Sequence, residues 1–526
     1  MLGRIQSVAL VGLDGHAVVV EAHVVPGAPS FAVVGLPDAA VQESRERVRA
    51  AIVNAGFSFP PRRITVNLAP ASLRKVGPVY DLPVALAILQ ATGQFDLPGV
   101  TDSRGDALVV AVGELGLDAS VRPIAGALAV AECVRDSGSG TLVLPSANAA
   151  EAALVEGLRG VPVDSLAAAV AALQSPGPLL ADPVDAAALL ACPARTGADM
   201  ADVAGQALAR RALEIAAAGS HNLLMVGPPG SGKTMLARRL PTILPPLSVP
   251  EAFEVTRIVS VAGLLPANEA LVRRRPFRAP HHSISTPGLV GGGGTPRPGE
   301  ASLAHLGVLF LDEFPEFRIS ALEALRQPLE DGEVTISRSL TSLTFPARFM
   351  LVGAMNPCPC GYRGDPGREC TCPLPALHRY RSRLSGPLLD RIDMRIEVPR
   401  LEPGAWRAGG DAETSEQVRR RVTRAWERQQ RRLHDERAYA NAHLTSRQLR
   451  RLCKLSPNAL DVIDSAYTRF RLTARACDRI VKVAQTIADL SGAERIERAH
   501  VTEALGYRDA APVVAGDRAG ERGARS

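Results

Sequence analysis

Three observations predict a multidomain α/β protein. The segment Gly227-Pro228-Pro229-Gly230-Ser231-Gly232-Lys233-Thr234 sits between an apolar run, Asn222-Leu223-Leu224-Met225-Val226, and a helical run, Met235-Leu236-Ala237-Arg238-Arg239-Leu240. Residues 1 to about 170 alternate strand-like and helical runs, and residues 416 to about 505 are strongly helical. Strands alternating with helices argue for an α/β domain. At 526 residues a single core is improbable, so about three domains are expected.

Taken in order, the first region (1–172) offers strands at Ala17-Val18-Val19-Val20-Glu21-Ala22, Ile64-Thr65-Val66-Asn67-Leu68 and Ala107-Leu108-Val109-Val110-Ala111-Val112. Its helical runs cover residues 38–55, 81–92 and 125–136. A Pro/Ala-rich stretch, 173–199, has turn signals and little periodicity, and reads as a linker. Residues 200–400 carry the phosphate-binding segment, and 401–507 the helical region. The tail 508–526, rich in Gly, Ala, Arg and Asp, is expected to be disordered.

Apolar residues make up 46% of the chain, ample for packed cores. No run approaches the ~18 unbroken apolar residues of a membrane span, and no signal peptide opens the sequence, so no membrane partner is expected and cytoplasmic residence is the default. The formal net charge of +6 mildly favours an anionic partner.

The glycine-rich segment matches the phosphate-binding loop G-x-x-x-x-G-K-[ST] in its required strand-to-helix context. Its backbone N–H groups would curl around phosphates at a helix N-terminus. Lys233 would reach the β- and γ-phosphates and Thr234 would ligate Mg²⁺, so ATP and Mg²⁺ are the expected ligands. Downstream, Gly307-Val308-Leu309-Phe310-Leu311-Asp312-Glu313 reads as a strand delivering two carboxylates to the sheet edge where parallel sheets bind ligands. Asp312 would hold Mg²⁺ through water, and Glu313 would orient and deprotonate the attacking water. The strand-like run 349–355 ends at Asn356, an amide able to bond the γ-phosphate or the water.

These elements resemble AAA+ ATPases, in which Asn356 would be the first sensor. Leu388-Leu389-Asp390-Arg391-Ile392-Asp393 is similar to the arginine-finger segment of the magnesium-chelatase and MCM branch, and implies that Arg391 serves a neighbouring subunit in a hexameric ring. A structural salt bridge is the alternative for Arg391. Arg475, opening a lid helix, stands where a second sensor would reach the γ-phosphate. The runs 333–338 and 343–348 resemble the pre-sensor-1 hairpin of that branch, and Gly291–294 its helix-2 loop. Such elements would turn Arg338, Arg278, His281 and His282 toward a threaded substrate; a rigid glycine loop with packing histidines is the alternative.

Val34-Gly35-Leu36-Pro37-Asp38, Asn67-Leu68-Ala69-Pro70-Ala71 and the segments 277–283, 356–360 and 383–393 together resemble the ComM/YifB family of magnesium-chelatase-like AAA+ proteins, over nearly the whole chain. The resemblance implies a hexameric DNA-dependent ATPase: a helicase promoting branch migration in recombination or transformation, on single-stranded or branched DNA without sequence preference. It also implies a Lon-protease-like N-terminal domain of the ribosomal S5 domain 2 type. Val79 stands at that pattern's nucleophilic serine and Leu128 at its lysine, so no acyl chemistry is expected.

Of eight cysteines, Cys358, Cys360, Cys370 and Cys372 form two C-x-C pairs separated by a glycine-rich turn. Four thiolates suit a closed, structural tetrahedral Zn²⁺ site; disulfides or simple packing are the alternatives. The run 417–433 carries seven arginines, Arg419, Arg420, Arg421, Arg424, Arg428, Arg431 and Arg432, a basic face open to DNA or simply solvated. Trp426 and Tyr439 are candidates for stacking on bases. Besides the DNA motor, a magnesium-chelatase-type subunit remodelling a protein partner remains a competing class.

Overall fold

The computed structural model describes all residues except 97–108, 139–140, 175–183, 192–196, 267–268, 294–295, 338–341, 402–412, 437 and 509–526. The chain divides into two compact units, one comprising Met1–Pro193 with Ser248–Arg273 and the other Ala194–Leu247 with Arg274–Ser526.

The first unit is built on a seven-stranded mixed sheet. From one edge its strands are Ser30–Val34, Arg63–Ala69, Asp14–Val25, Leu2–Val11, Val109–Ala111, Thr141–Pro145 and Arg159–Val163. Antiparallel pairing joins the Leu2–Val11, Asp14–Val25 and Arg63–Ala69 strands; the remaining neighbours are parallel. Helices occupy Ala39–Asn54, Asp81–Ala91 and Ala127–Asp136, within one or two residues of the spans read from periodicity. Residues 82–89 of the helix Asp81–Ala91 are buried on every side, as expected of a helix that is apolar all round. At its start, Asp81 is fully buried and accepts from Arg47 Nε at 2.6 Å. Burial pushes its carboxyl up to about 6, against the opposing pull of Arg47.

Ser248–Arg273 lies between two stretches of the second unit yet packs within the first. Its helix Val249–Val261 opens on a capping box, Ser248 with Glu251. Gly126 N–H donates to Ser260 O at 3.0 Å. Buried Glu151 accepts from the Ser260 hydroxyl and, at 2.8 Å, from Leu128 N–H. Leu128 itself is fully buried among apolar residues.

The second unit holds a five-stranded, all-parallel sheet ordered Phe277–Arg278, Val308–Leu311, Met350–Met355, Leu223–Val226, Met394–Glu397. The helices Ser415–Leu433, Ser446–Leu452, Pro457–Phe470, Ala474–Ser491 and Arg498–Gly506 fill the predicted helical region. Side chains from Ser415–Leu433 and Ala474–Ser491 share one core with the strand residues Leu223, Met225, Val352 and Ile396. Buried Arg275 pins this lid: it donates to the carbonyls of Pro245 at 2.7 Å and Leu306 at 2.9 Å, and to the Tyr439 hydroxyl at 2.7 Å. Its guanidinium also lies over Trp426, 5.5 Å from the ring centroid.

Replacing Arg275 by Ala strands the buried carbonyls of Pro245 and Leu306. Since each unsatisfied group costs about 1–3 kcal/mol, the thermal transition of the second unit should fall by several degrees, read by calorimetry on the full chain. An unchanged transition would show that Arg275 is dispensable to lid docking.

Candidate active site

Strand Leu223–Val226 runs straight into the glycine-rich loop, and helix Lys233–Ile243 leaves it. Gly227 is required by close approach: a Cβ there would sit 2.1 Å from the Val398 carbonyl oxygen. Lys233 is only 8% exposed. Its ammonium donates to Gly227 O at 2.8 Å, Pro228 O at 3.0 Å and Asn356 Oδ1 at 3.3 Å. All three acceptors are neutral, and burial lowers the Lys233 pKa from its ordinary value despite the nearby Asp312. Among the described residues the buried Ser231 hydroxyl finds no hydrogen-bond partner. A desolvated cation with neutral acceptors and an orphan hydroxyl in the same loop fit a phosphate group.

Thr234 Oγ1 donates to Asp312 Oδ2 at 2.6 Å. Asp312 directly follows strand Val308–Leu311, so the hydroxyl and carboxylate form an oxygen pair of the kind that Mg²⁺ accepts. Glu313 adopts φ of 53°, a left-handed conformation uncommon for a residue with a side chain. Its carboxylate is exposed and lies 3.1 Å from His282 Nδ1. Asn356 follows the central strand Met350–Met355, adjacent to the loop strand. Lys233, Thr234, Asp312 and Asn356 are therefore joined by direct contacts, and Glu313 is next in sequence.

The cysteine cluster adjoins them. Every Sγ of Cys358, Cys360, Cys370 and Cys372 lies within 4.8 Å of the others. Cys358 is 3.3 Å from Cys360 and 3.6 Å from Cys370. The edge of a tetrahedron with Zn–S bonds of 2.3 Å is about 3.8 Å, so the cluster fits the ion. Burial pushes the Cys358 thiol up to about 12. For Cys360 burial acts upward as well, but the Tyr362 backbone N–H and the Cys358 thiol hold it down to about 6. Gly361, at φ of 87°, is the second glycine the site requires: a Cβ would come within 2.6 Å of Pro229 in the phosphate loop. The Tyr380 hydroxyl then donates to Asn356 O at 3.2 Å.

Arg391 and Arg475 lie elsewhere. They line a cavity of about 500 Å³ together with Asp390, Asp478, Arg479 and Lys482, and no phosphate-loop residue. Asn222 Nδ2 donates to Arg391 O at 2.8 Å. Asn222 precedes strand Leu223–Val226 and the loop follows it, a separation of about 15 Å at ~3.3 Å per residue. Both arginines thus sit toward the amino ends of the strands, whereas the phosphate loop leaves the carboxyl ends. The Arg391 guanidinium pairs with Glu330 and, at 2.5 Å, donates to Pro387 O.

The hairpin pairs Glu333–Ser337 with Ser342–Pro346; Arg338 and Gly294 fall outside the described residues. Gly291 lies against Ile336 of this hairpin. Arg278 is engaged bidentately by Glu300, at 2.6 and 2.8 Å. The basic helix is partly consumed within the unit: Arg421 pairs with Glu214 and Glu413, and Arg432 with Asp489. Trp426 and Tyr439 pack edge to face, 5.2 Å apart, under Arg275, so their rings serve packing. Among the described residues no helix is long and apolar enough to cross a membrane.

Three family signatures match: "Magnesium chelatase, subunit ChlI" over residues 199–406, "Subunit ChlI of Mg-chelatase" over 20–148, and "Magnesium chelatase, subunit ChlI C-terminal" over 412–508. Competence protein ComM of Haemophilus influenzae is 45% identical over 514 residues, covering 96% of this chain and 97% of that protein. An uncharacterized protein of Mycobacterium tuberculosis is 46% identical, covering 96% and 98%. Uncharacterized protein YifB of Escherichia coli is 42% identical, covering 96% and 97%. The chain belongs to this magnesium-chelatase-like family of ComM and YifB relatives, and the family supports an AAA+ ATPase.

Gly227→Ala forces the loop off Val398. At about 1–3 kcal/mol for such overpacking, affinity for a fluorescent ATP analogue should drop about tenfold or more; unchanged affinity would show that the backbone yields freely.

Proposed function

We propose that this member of the magnesium-chelatase-like family is an ATP-hydrolysing ring motor that moves on DNA, a ComM-like helicase or branch-migration factor in recombination or transformation. The observation that carries the reading is the contact set of Lys233, Thr234, Asp312 and Asn356 at one sheet edge, joined to similarity with a competence protein along nearly the whole chain.

Lys233 and the N–H groups of the loop bind the phosphates; Ser231 supplies a further donor. Thr234 and Asp312 hold Mg²⁺, which neutralises charge on the β- and γ-oxygens when bound. Glu313 orients the attacking water and accepts its proton, and Asn356 bonds that water or the γ-phosphate. Arg391 and Arg475 lie too far along the sheet to serve their own phosphates, which supports a role for both in the neighbouring subunit's site and hence a closed oligomer, a hexamer in the family pattern. For Arg475 this replaces a cis-acting second sensor. The N-terminal unit acts as a Lon-like accessory without proteolysis, in keeping with an apolar, buried Leu128. The four thiols hold a structural Zn²⁺ that braces Asn356 and, through Gly361, the phosphate loop. The partner is DNA, single-stranded or branched, read without sequence preference, in the cytoplasm.

The test is the ATPase rate of the full chain with no DNA, single strands, duplex or a four-way junction at one salt concentration, since phosphate-driven binding is steeply salt-dependent. Several-fold stimulation by single strands or the junction is expected; an active ATPase indifferent to every DNA would favour a chelatase-type motor working on a protein. Glu313→Gln should retain ATP binding and lose turnover by about 100-fold or more; retained turnover would remove Glu313 from the mechanism. The purified protein should carry about one zinc per chain, absent from Cys358→Ser. A metal-free wild type with full ATPase activity would leave the thiols a packing role.

A further inference from the structure

Helix Ser415–Leu433 carries charges that the fold does not use. Its buried residues Val418, Val422, Ala425, Gln429 and Leu433 recur at helical spacing and turn one face into the core. Of its seven arginines, four are engaged by carboxylates. Arg419 and Arg420 pair with Glu416, Arg421 with Glu214 and Glu413, and Arg432 with Asp489. Arg424, Arg428 and Arg431 are exposed, and among the described residues none of the three has an acidic partner. They stand at i, i+4 and i+7, on the side turned away from the core. Glu427 is the one carboxylate of the helix beyond its first turn, so this side keeps an excess of positive charge.

Helix stability does not account for the three. Like charges three and four residues apart destabilise a helix. A cation in the last turn is favoured by the helix dipole, which serves Arg431 but neither Arg424 nor Arg428. Arg428 instead lies at the end of a neighbouring helix. Gly492, which caps Ala474–Ser491 at φ of 79°, leaves room for it, since a Cβ there would sit 3.5 Å from the guanidinium. The negative end of that helix steadies Arg428 without an ion pair. At ~1.5 Å of rise per residue the ridge is about 10 Å long. That is the rise of about three successive phosphates of one DNA strand, at ~3.4 Å each. Guanidinium groups are permanently charged and grip phosphate oxygens in pairs.

We propose that Arg424, Arg428 and Arg431 form a docking ridge for the phosphate backbone of DNA, on the lid and separate from the nucleotide site; the inference rests on DNA being the partner of this motor. Contacts to phosphates carry no base information, so the ridge adds affinity without sequence preference. A polyanion also relieves the repulsion among the three guanidinium groups.

The experiment is a fluorescence-anisotropy titration of the full chain onto labelled single-stranded DNA of mixed sequence, repeated over a series of salt concentrations. Wild type is compared with the triple variant Arg424→Gln, Arg428→Gln, Arg431→Gln and with the matching triple Lys variant. Each phosphate contact contributes about 0.7 to the slope of log affinity against log salt for a single strand. The Gln variant should therefore lose about 2 from that slope and bind about tenfold or more weakly at ~0.1 M salt. Its DNA-free ATPase rate should match wild type and its thermal transition should not fall. The Lys variant keeps the charge and should keep the slope. A Gln variant with wild-type affinity and slope for DNA would overturn the proposal, as would an equal loss in the Lys variant. If the Gln variant loses binding of poly-glutamate alone, the ridge belongs to an acidic protein. A wild type that binds no DNA would sink the DNA motor itself, whereas an unchanged Gln variant sinks only the ridge.

Discussion

Parallel register is the constraint on which the second unit depends. Leu223 pairs with Val352 and Val226 with Met355, so the phosphate loop and Asn356 begin side by side. Val308 pairs with Met350, which brings Asp312 to the same edge and within reach of Thr234. Were any one of these strands to slip by two residues, it would keep its buried face, yet the hydroxyl, carboxylate and amide would separate by about 7 Å. Packing alone therefore does not specify the site. It is held by the tethers at both strand ends: Asn222 to Leu351 N and Asp393 at the start, and Lys233 to Gly227, Pro228 and Asn356 at the finish.

The cysteine loop and the lid are bound to this sheet by different chemistry. Gly361 and Tyr380 connect the thiol cluster to the glycine-rich loop and to Asn356, so whatever fixes the thiols also fixes Asn356. The lid instead rests on a buried polar lattice: His221 Nε2 with Thr486 at 2.8 Å, Asn441 with Thr486 and Asp489, and Arg432 with Asp489. Buried networks of this kind favour one arrangement, because each broken bond leaves a buried polar group unpaired. A lid fixed in that way presents Arg475 to the cavity that Arg391 also lines.

Much of the site could be read from the chain because it is local. A loop, its strand and its helix lie within residues 222–243, and strand ends announce Asp312, Glu313 and Asn356 by an apolar run that stops at polar groups. What escaped was non-local. Helix Val249–Val261 is amphipathic, but nothing in its pattern says that its apolar face belongs to the first unit. Strand Leu2–Val11 is central, yet its polar Arg4, Gln6 and Ser7 obscure it. Arg421 and Arg432 read as a free basic face because their acidic partners, Glu214 and Asp489, are remote in sequence. His282 was read as facing a substrate; its contact with Glu313 follows from a strand only two residues long.

In the proposed motor, one subunit's arginines complete its neighbour's phosphate site. Mixing two inactive variants tests it directly: Lys233→Ala, which cannot bind the phosphates but keeps Arg391, and Arg391→Ala, which keeps its own loop. Mixed assemblies should recover a measurable share of wild-type ATPase rate, since some sites then pair an intact loop with an intact arginine. No recovery, in mixtures shown by native mass spectrometry to contain both subunits, would contradict the claim.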